Sequence, residues 1–404
     1  MKSMQKATQQ QTKEHNTHLV LDTIFQHKSI SRAEIARITR LTRTTVSDIV
    51  SELIGENLVS EVGVGSSIGG KNPILLSLVE DSRFLIGLDL AYNEFRGALI
   101  NLRGQIRELI SVPIDDDCTG EEALTVVFTI LDQLIHSHPQ SLIGIGIGTP
   151  GLINSPQGVV VNAVNLDWKD LPLARLVSER HALPVYVLND SQAAAIGEYT
   201  YGGGSKADSN LVVINVRRGI GAGIIINGQI FQGDGGGAGE IGHVVVVREG
   251  GLPCRCGNLG CLETVASAQA VIQRVRMSSH YANSYLPLSA SEINLEELEH
   301  SFRRGDPLAQ QVVLEAGHYL GLAIASLVGT LNIHRIVVDG DMTQFGKPWL
   351  EAIQETVSRS VLPKLAQETR IEIGHLRENG ILLGAAAILL KDYSLLFRRQ
   401  AAPA

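Results

Sequence analysis

The sequence predicts an α/β protein in which a winged helix-turn-helix head precedes an internally duplicated, two-lobed body, divided at 1–80, 81–200 and 201–404. Three observations carry this expectation. Helical periodicity rules the first part of the chain and gives way to a hairpin with a Gly/Ser tip. From Phe84 the pattern changes to strand, turn, strand, and near Leu211 the same opening recurs. Helical stretches at 121–136 and 308–330 then each lead into a further strand.

A chain of 404 residues has room for two or three domains of ~100–200 residues and needs no disulfide support. Its 44% hydrophobic content indicates a globular protein, and no run is read as approaching the ~20 apolar residues of a membrane span. The polar start, MKSMQKATQQQTKEHN, lacks the apolar stretch of a secretory signal. The expected location is therefore the cytoplasm, where thiols stay reduced and clustered cysteines more often bind metal than pair. Net charge is −8, but residues 1–80 carry nine Lys/Arg against eight Asp/Glu, so the acidity lies in the body. A slightly basic head permits local phosphate contact.

In the head, Val20/Ile24 and Leu21/Phe25 repeat at helical spacing. A second helix starts at SRAE, where Ser31 and Glu34 suit a capping box and Ile35, Ala36 and Ile38 supply the buried face. The third runs from about Thr42, with Val46, Ile49, Val50 and Leu53 as one apolar stripe. Its other face presents Arg43, Thr44, Ser47, Asp48 and Ser51; the Arg, Thr and Ser types meet phosphates and base edges, whereas Asp48 would repel phosphate unless it reads a cytosine amino group or faces away. This order matches a helix-turn-helix whose last helix lies in the major groove, and the hairpin that follows, with Lys71 at its tip, suits a wing on DNA. Arg43, Thr44, Ser47 and Lys71 are the candidate contacts to double-stranded operator DNA. An ordinary three-helix cap with a solvated polar face is the plainer alternative.

The body opens with FLIGLDLA and FRGALINLRG, and its second half with LVVINV and GAGIIINGQI. Two halves of related order suggest a duplicated domain with a ligand cleft between lobes. CRCGNLGC, residues 254–261, gathers three of the four cysteines; the fourth is Cys118. Cys254, Cys256 and Cys261 offer soft thiolates, the glycines at 257 and 260 allow the tight turns that let sulfurs converge, and His243 is the nearest upstream histidine. Buried cysteines without metal, or a reactive thiol, are the competing readings.

GIGAGIIINGQIFQGDGGGAGEIGH and then PCRCGNLGCLE, together with TPGLIN and LNDSQAAAIGE, resemble as a set the ROK family of repressors, open reading frames and kinases, over about residues 84–395. The resemblance implies an actin-like, ribonuclease-H-like duplicated ATPase fold. With the head in front it points to the repressor branch, which includes repressors of xylose, N-acetylglucosamine and glucose-related genes. It further implies structural Zn2+ on His243, Cys254, Cys256 and Cys261. A sugar would be bound by Asn189, Asp190, Glu240, His243 and Glu263, with Asn165 as a weaker addition and the loop 150–152 closing over it.

In the family's kinases the residue matching Asp190 is the general base, so an ATP-dependent sugar kinase is the rival reading. The phosphate loops depart from the kinase pattern. DLAYN has Ala91, Tyr92 and Asn93 where DxGGT is usual, and RRGIG has Arg217 and Arg218 where GTGxG begins. Asp339 and Asp341 add negative charge nearby. Phosphoryl transfer rests on holding ATP in place, so these changes predict a protein that is not an enzyme. The expectation is a sugar-responsive repressor, a homodimer or homotetramer, with a sugar or sugar-phosphate inducer; control by a protein partner is a further alternative.

Overall fold

The computed structural model describes residues 8–66, 72–115, 118–137, 141–203, 209–278, 286 and 292–397. The head comprises α1 (Gln9–Phe25), β1 (Ile30–Ser31), α2 (Arg32–Thr39), α3 (Arg43–Gly55) and a hairpin of β2 (Val59–Val64) and β3 (Ile74–Leu78). The capping box at α2 forms as its residue types require: Ser31 Oγ accepts from the Glu34 amide, and Glu34 Oε2 accepts from the Ser31 amide, both at 3.2 Å. Thr42 caps α3 by accepting from the Thr45 amide at 3.1 Å. Val46, Ile49, Val50 and Leu53 of α3 are buried, whereas Arg43, Thr44, Asp48 and Ser51 are exposed. Ile38 is a correction, since it is 46% exposed: α2 is only two turns long and buries Ile35 alone. The wing pairs antiparallel with a bulge at Glu61/Gly63, and Lys71 lies outside the described residues.

The first lobe contains β4 (Phe84–Leu90), β5 (Glu94–Asn101), β6 (Ile106–Pro113), α4 (Gly120–Ser137), β7 (Leu142–Thr149), a small sheet of β8 (Leu152–Asn154), β9 (Val159–Ala163) and β10 (Trp168–Leu171), then α5 (Leu173–His181), β11 (Val185–Asn189) and α6 (Asp190–Tyr201). The second contains β12 (Leu211–Val216), β13 (Ile220–Ile226), β14 (Gln229–Phe231), α7 (Glu263–Ala266), α8 (Ala268–Arg276), α9 (Leu295–Arg303), α10 (Pro307–Leu331), β15 (Arg335–Asp339), α11 (Gly346–Ser360), α12 (Pro363–Glu368), β16 (Arg370–Ile373) and α13 (Gly380–Ala387). The main sheets run β6-β5-β4-β7-β11 and β14-β13-β12-β15-β16. Numbered within each lobe, both orders are 3-2-1-4-5, with 1-2 and 2-3 antiparallel and 1-4 and 4-5 parallel. The duplication expected from the two strand-rich openings is therefore present strand for strand.

The two lobes cross at their last helices. α6 follows the first sheet in sequence yet packs on β12 and β13, and α13 packs on β4 and β7. Such an exchange requires close approach without side chains between the partners. A Cβ on Gly384 would sit 1.7 Å from Ala193 O, one on Gly146 1.7 Å from Ala385 O, and one on Gly197 2.3 Å from Gly380 O. Every residue of α13 is buried, as is Ser191–Glu198 of α6. α10 is long and apolar enough to cross a membrane by length and composition, contrary to the reading of the raw sequence. Half of that stretch is buried, and the helix lies along α11 in the second lobe's core.

The head is fastened to the body. Its core is continuous with Leu85, Ala98 and Ile100 of the first sheet and with Leu395 and Leu396 near the C-terminus. Arg103, after β5, donates to the backbone carbonyls of Phe25 and His27. Arg83 donates to Glu56 O beside the end of α3 and to Leu396 O. Tyr393 stacks on His18 at 4.1 Å and hydrogen-bonds Asp22.

Gly384→Ala should lower stability by roughly 1–3 kcal/mol or more, because the added methyl meets backbone that cannot rotate away. Urea denaturation reads this as a lower midpoint; an unchanged midpoint would show that the crossing yields at no cost.

Candidate functional site

The ends of β4, β7, β11 and β12 open on one cleft of about 590 Å³ between the lobes, where ligands of open α/β sheets collect. The cleft is lined by all six residues expected to meet a sugar: Asn165, Asn189, Asp190, Glu240, His243 and Glu263. Pro150, Gly151 and Leu152 line it as well. Asn189 caps α6, its Oδ1 accepting from the Ser191 amide at 2.9 Å while its Nδ2 donates to Gly151 O at 3.0 Å. Asp190 follows as the first helical residue and accepts from the Ser191 amide at 2.6 Å. A Cβ on Gly221 would fall 2.4 Å from Ser191 Oγ, so a larger residue there would have to displace that side chain.

Glu240 and His243 sit on a turn next to β13, fixed where the Ala222 amide donates to Gly239 O at 2.8 Å. Gly239 has φ +99° and no room for a Cβ, which would lie 1.8 Å from Ala222 O. Glu263 Oε2 accepts from the Ile220 amide at 3.2 Å. Glu240 is pushed above the usual carboxylate range by burial and by Asp190.

One ligand atom each from His243, Cys254, Cys256 and Cys261 lies within 4.8 Å of the others. Cys254 Sγ is 3.5 Å from His243 Nδ1, and Cys256 Sγ is 3.6 Å from Cys261 Sγ. A tetrahedral zinc site with ordinary Zn–S and Zn–N bonds has ligand-to-ligand edges of about 3.5–3.8 Å, so this donor set fits a metal ion. Gly257 and Gly260 turn the chain at φ +95° and +72°, and the Gly257 amide closes its turn on Cys254 O at 3.0 Å. With Nδ1 among the thiols, His243 leaves Nε2 toward Glu240, 3.9 Å from Oε2.

The β12–β13 turn on the cleft wall holds an arrangement missed in the sequence reading. Arg217, on the β12–β13 turn, lies 3.3 Å from buried Asp89. Burial works against its charge, but Asp89, Asp341, Asp190 and Asp339 together hold it above its ordinary value. Asp339 and Asp341, read in the sequence as added negative charge, thus face a guanidinium together with Asp89 and Asp190. Asp89 and Asp190 are each raised first by burial, with Arg217 opposing the shift. Beside it, Arg218 lies over the Tyr92 ring at 3.1 Å from the centroid. The two departures from the phosphate-loop pattern thus touch each other across the lobes. The signal was visible as a pair of substitutions in equivalent turns of the two repeats, but only the fold brings the turns together.

A helix-turn-helix head joined to a duplicated, two-lobed actin-like body, with a carboxylate-lined cleft beside a Cys3His cluster, defines the class of protein. Residues 85–392 match the ROK family, and the chain belongs to that family. It is 32% identical to the xylose repressor of Caldicellulosiruptor bescii, over 94% of this chain and 96% of that one. It is 34% identical to a glucokinase of Halalkalibacterium halodurans, over 75% of this chain and 93% of that one. A crystal structure of a ROK family transcriptional regulator, a homologue of the E. coli Mlc protein, superposes with a TM-score of 0.81 at 29% identity, covering 95% of this chain and 98% of that one.

Asp339 is pushed up to about 6, first by burial, with the Gly340 amide and Arg217 opposing. A carboxyl that holds its proton more tightly when folded supports stability below about pH 4 and loses that support as pH rises through about 6. Asp339→Asn should therefore stabilise the protein more at pH 7 than at pH 4, by about 1 kcal/mol or more. Thermal unfolding at the two pH values checks this; an equal effect at both would mean the carboxylate is fully compensated.

Proposed function

We propose that this chain is a sugar-responsive transcriptional repressor acting in the cytoplasm as a homo-oligomer. The observation that carries the proposal is the union of a helix-turn-helix head and a carboxylate-lined cleft in one continuous structure, in a chain related over 94% of its length to a xylose repressor. Arg43, Thr44 and Ser47 of α3, with Lys71 on the wing, serve as operator contacts. Asn165, Asn189, Asp190, Glu240, His243 and Glu263 bind the hydroxyls of the inducer, the carboxylates by charge-assisted hydrogen bonds. Zn2+ on His243, Cys254, Cys256 and Cys261 fixes the loop that carries Glu240 and Glu263 to the cleft wall; it supplies structure and leaves no position for water.

The sugar ligands come from both lobes, Asn165, Asn189 and Asp190 from the first and the rest from the second. A bound sugar therefore biases lobe separation, and the hydrogen bonds of Arg83 and Arg103 pass that movement to α1 and to the end of α3. Induction follows only because the sugar binds the operator-incompetent state more tightly.

A sugar kinase is the second reading, favoured by Asp190 and by the glucokinase similarity. Against it, Arg217, Arg218 and Tyr92 fill the turns that would cradle phosphates, and phosphoryl transfer depends on that cradle. A coupled assay with ATP and a sugar panel should give no turnover; turnover would establish the kinase.

Arg43→Ala should weaken operator binding by about 1–3 kcal/mol, measured by gel shift or anisotropy. Asp190→Ala should leave operator binding intact and abolish release by sugar; full induction in that variant would displace the proposed pocket. Cys261→Ser should lose bound zinc by metal analysis together with the sugar response, and normal induction without metal would reduce the motif to local support.

A further inference from the structure

Arg218 and Arg255 stand side by side on the second-lobe wall of the cleft. They are held by a neutral group: Arg218 Nε and Arg255 Nη2 each donate to Gln269 Oε1 at 3.0 Å. Arg255 Nη1 reaches across the cleft to Asn165 Oδ1 at 2.6 Å, and Tyr92 stacks on Arg218. Among the described residues neither arginine forms an ion pair. Arg218 Nη1 is buried and donates to no acceptor. Glu263 is the carboxylate whose charge reaches Arg218, and it already accepts from the Ile220 amide. Burial and the neighbouring Arg255 charge lower Arg218 to about 10, with Glu263 opposing. Arg217 differs, being matched by four aspartates, Asp190 included. An anion at the Arg218/Arg255 wall would therefore not face Asp190 as an unneutralised carboxylate.

A neutral sugar's hydroxyl oxygens can accept from a guanidinium, but they bring no charge to match two fixed guanidiniums. An oxyanion has the geometry to accept from both, since guanidinium forks match carboxylate and phosphate oxygens. We propose that Arg218 and Arg255 form a subsite for an anionic oxygen group carried by the sugar ligand, either a phosphate ester or a carboxylate. The inference rests on the cleft being the inducer site, and it narrows that ligand to an acidic sugar. On binding, the anion replaces Asn165 as the partner of Arg255 and frees the asparagine for a hydroxyl.

The test is calorimetric titration of the full chain with matched probes: glucose, glucose 6-phosphate and glucuronate; N-acetylglucosamine and its 6-phosphate; xylose and xylonate; and inorganic phosphate. At least one acidic sugar should bind roughly tenfold or more tightly than its neutral parent, and the phosphate and carboxylate arms tell which anion is used. Arg218→Gln and Arg255→Gln should each bring that preference close to one, and Arg218→Lys should restore part of it. A neutral sugar that binds as tightly as its acidic partner, or a preference that survives both glutamine variants, overturns the subsite and leaves the repressor reading standing. Inorganic phosphate binding as tightly as a sugar phosphate would also overturn it, by detaching the anion from the sugar. No response to any probe removes the inducer cleft and the subsite together.

Discussion

Everything in the body hangs on the contact between two helices that have almost no side chains where they meet. α6 and α13 approach so closely that backbone of one lies against backbone of the other, at Gly384 against Ala193 and Gly197 against Gly380. Each helix also presses on the opposite lobe's sheet, so Gly146 and Gly87 lie under α13 and Gly223 lies under α6. Dense packing of this kind transmits displacement, because an interior at crystal-like density has few ways to absorb strain. α6 also begins at Asn189 and Asp190, so the helix at the crossing is the one whose first turn faces the cleft. The cleft wall and the crossing of the lobes are thus parts of the same helix.

The second organising constraint is charge. Four aspartates converge on Arg217, an arrangement that would be costly if all were ionised without a cation. Arg217 supplies that cation from within the chain. The β12–β13 turn thereby carries its own counter-charge to the aspartates around it.

Much of this was legible in the chain. The capping box at Ser31, the stripe Val46–Ile49–Val50–Leu53 and the repeated strand openings are local patterns, and local patterns survive into structure because the backbone must satisfy them wherever it folds. The Cys3His set and the six cleft residues were reachable through motifs. What stayed hidden depends on pairs distant in sequence. Arg217 and Asp89 are separated by 128 residues and Arg255 and Asn165 by 90, and no periodicity connects them. Ile38 was misplaced for a different reason: helical spacing assigns a face, but a helix as short as α2 has too few neighbours to cover it.

The junction of head and body also fixes an order of events during synthesis. Domains generally fold as they leave the ribosome, the N-terminal one first. Here the head's core includes Leu395 and Leu396, and Tyr393 meets His18 and Asp22 on α1. The helix-turn-helix therefore emerges early but gains that part of its core only when these late residues have been made. A chain cut short before them would carry a head without its floor.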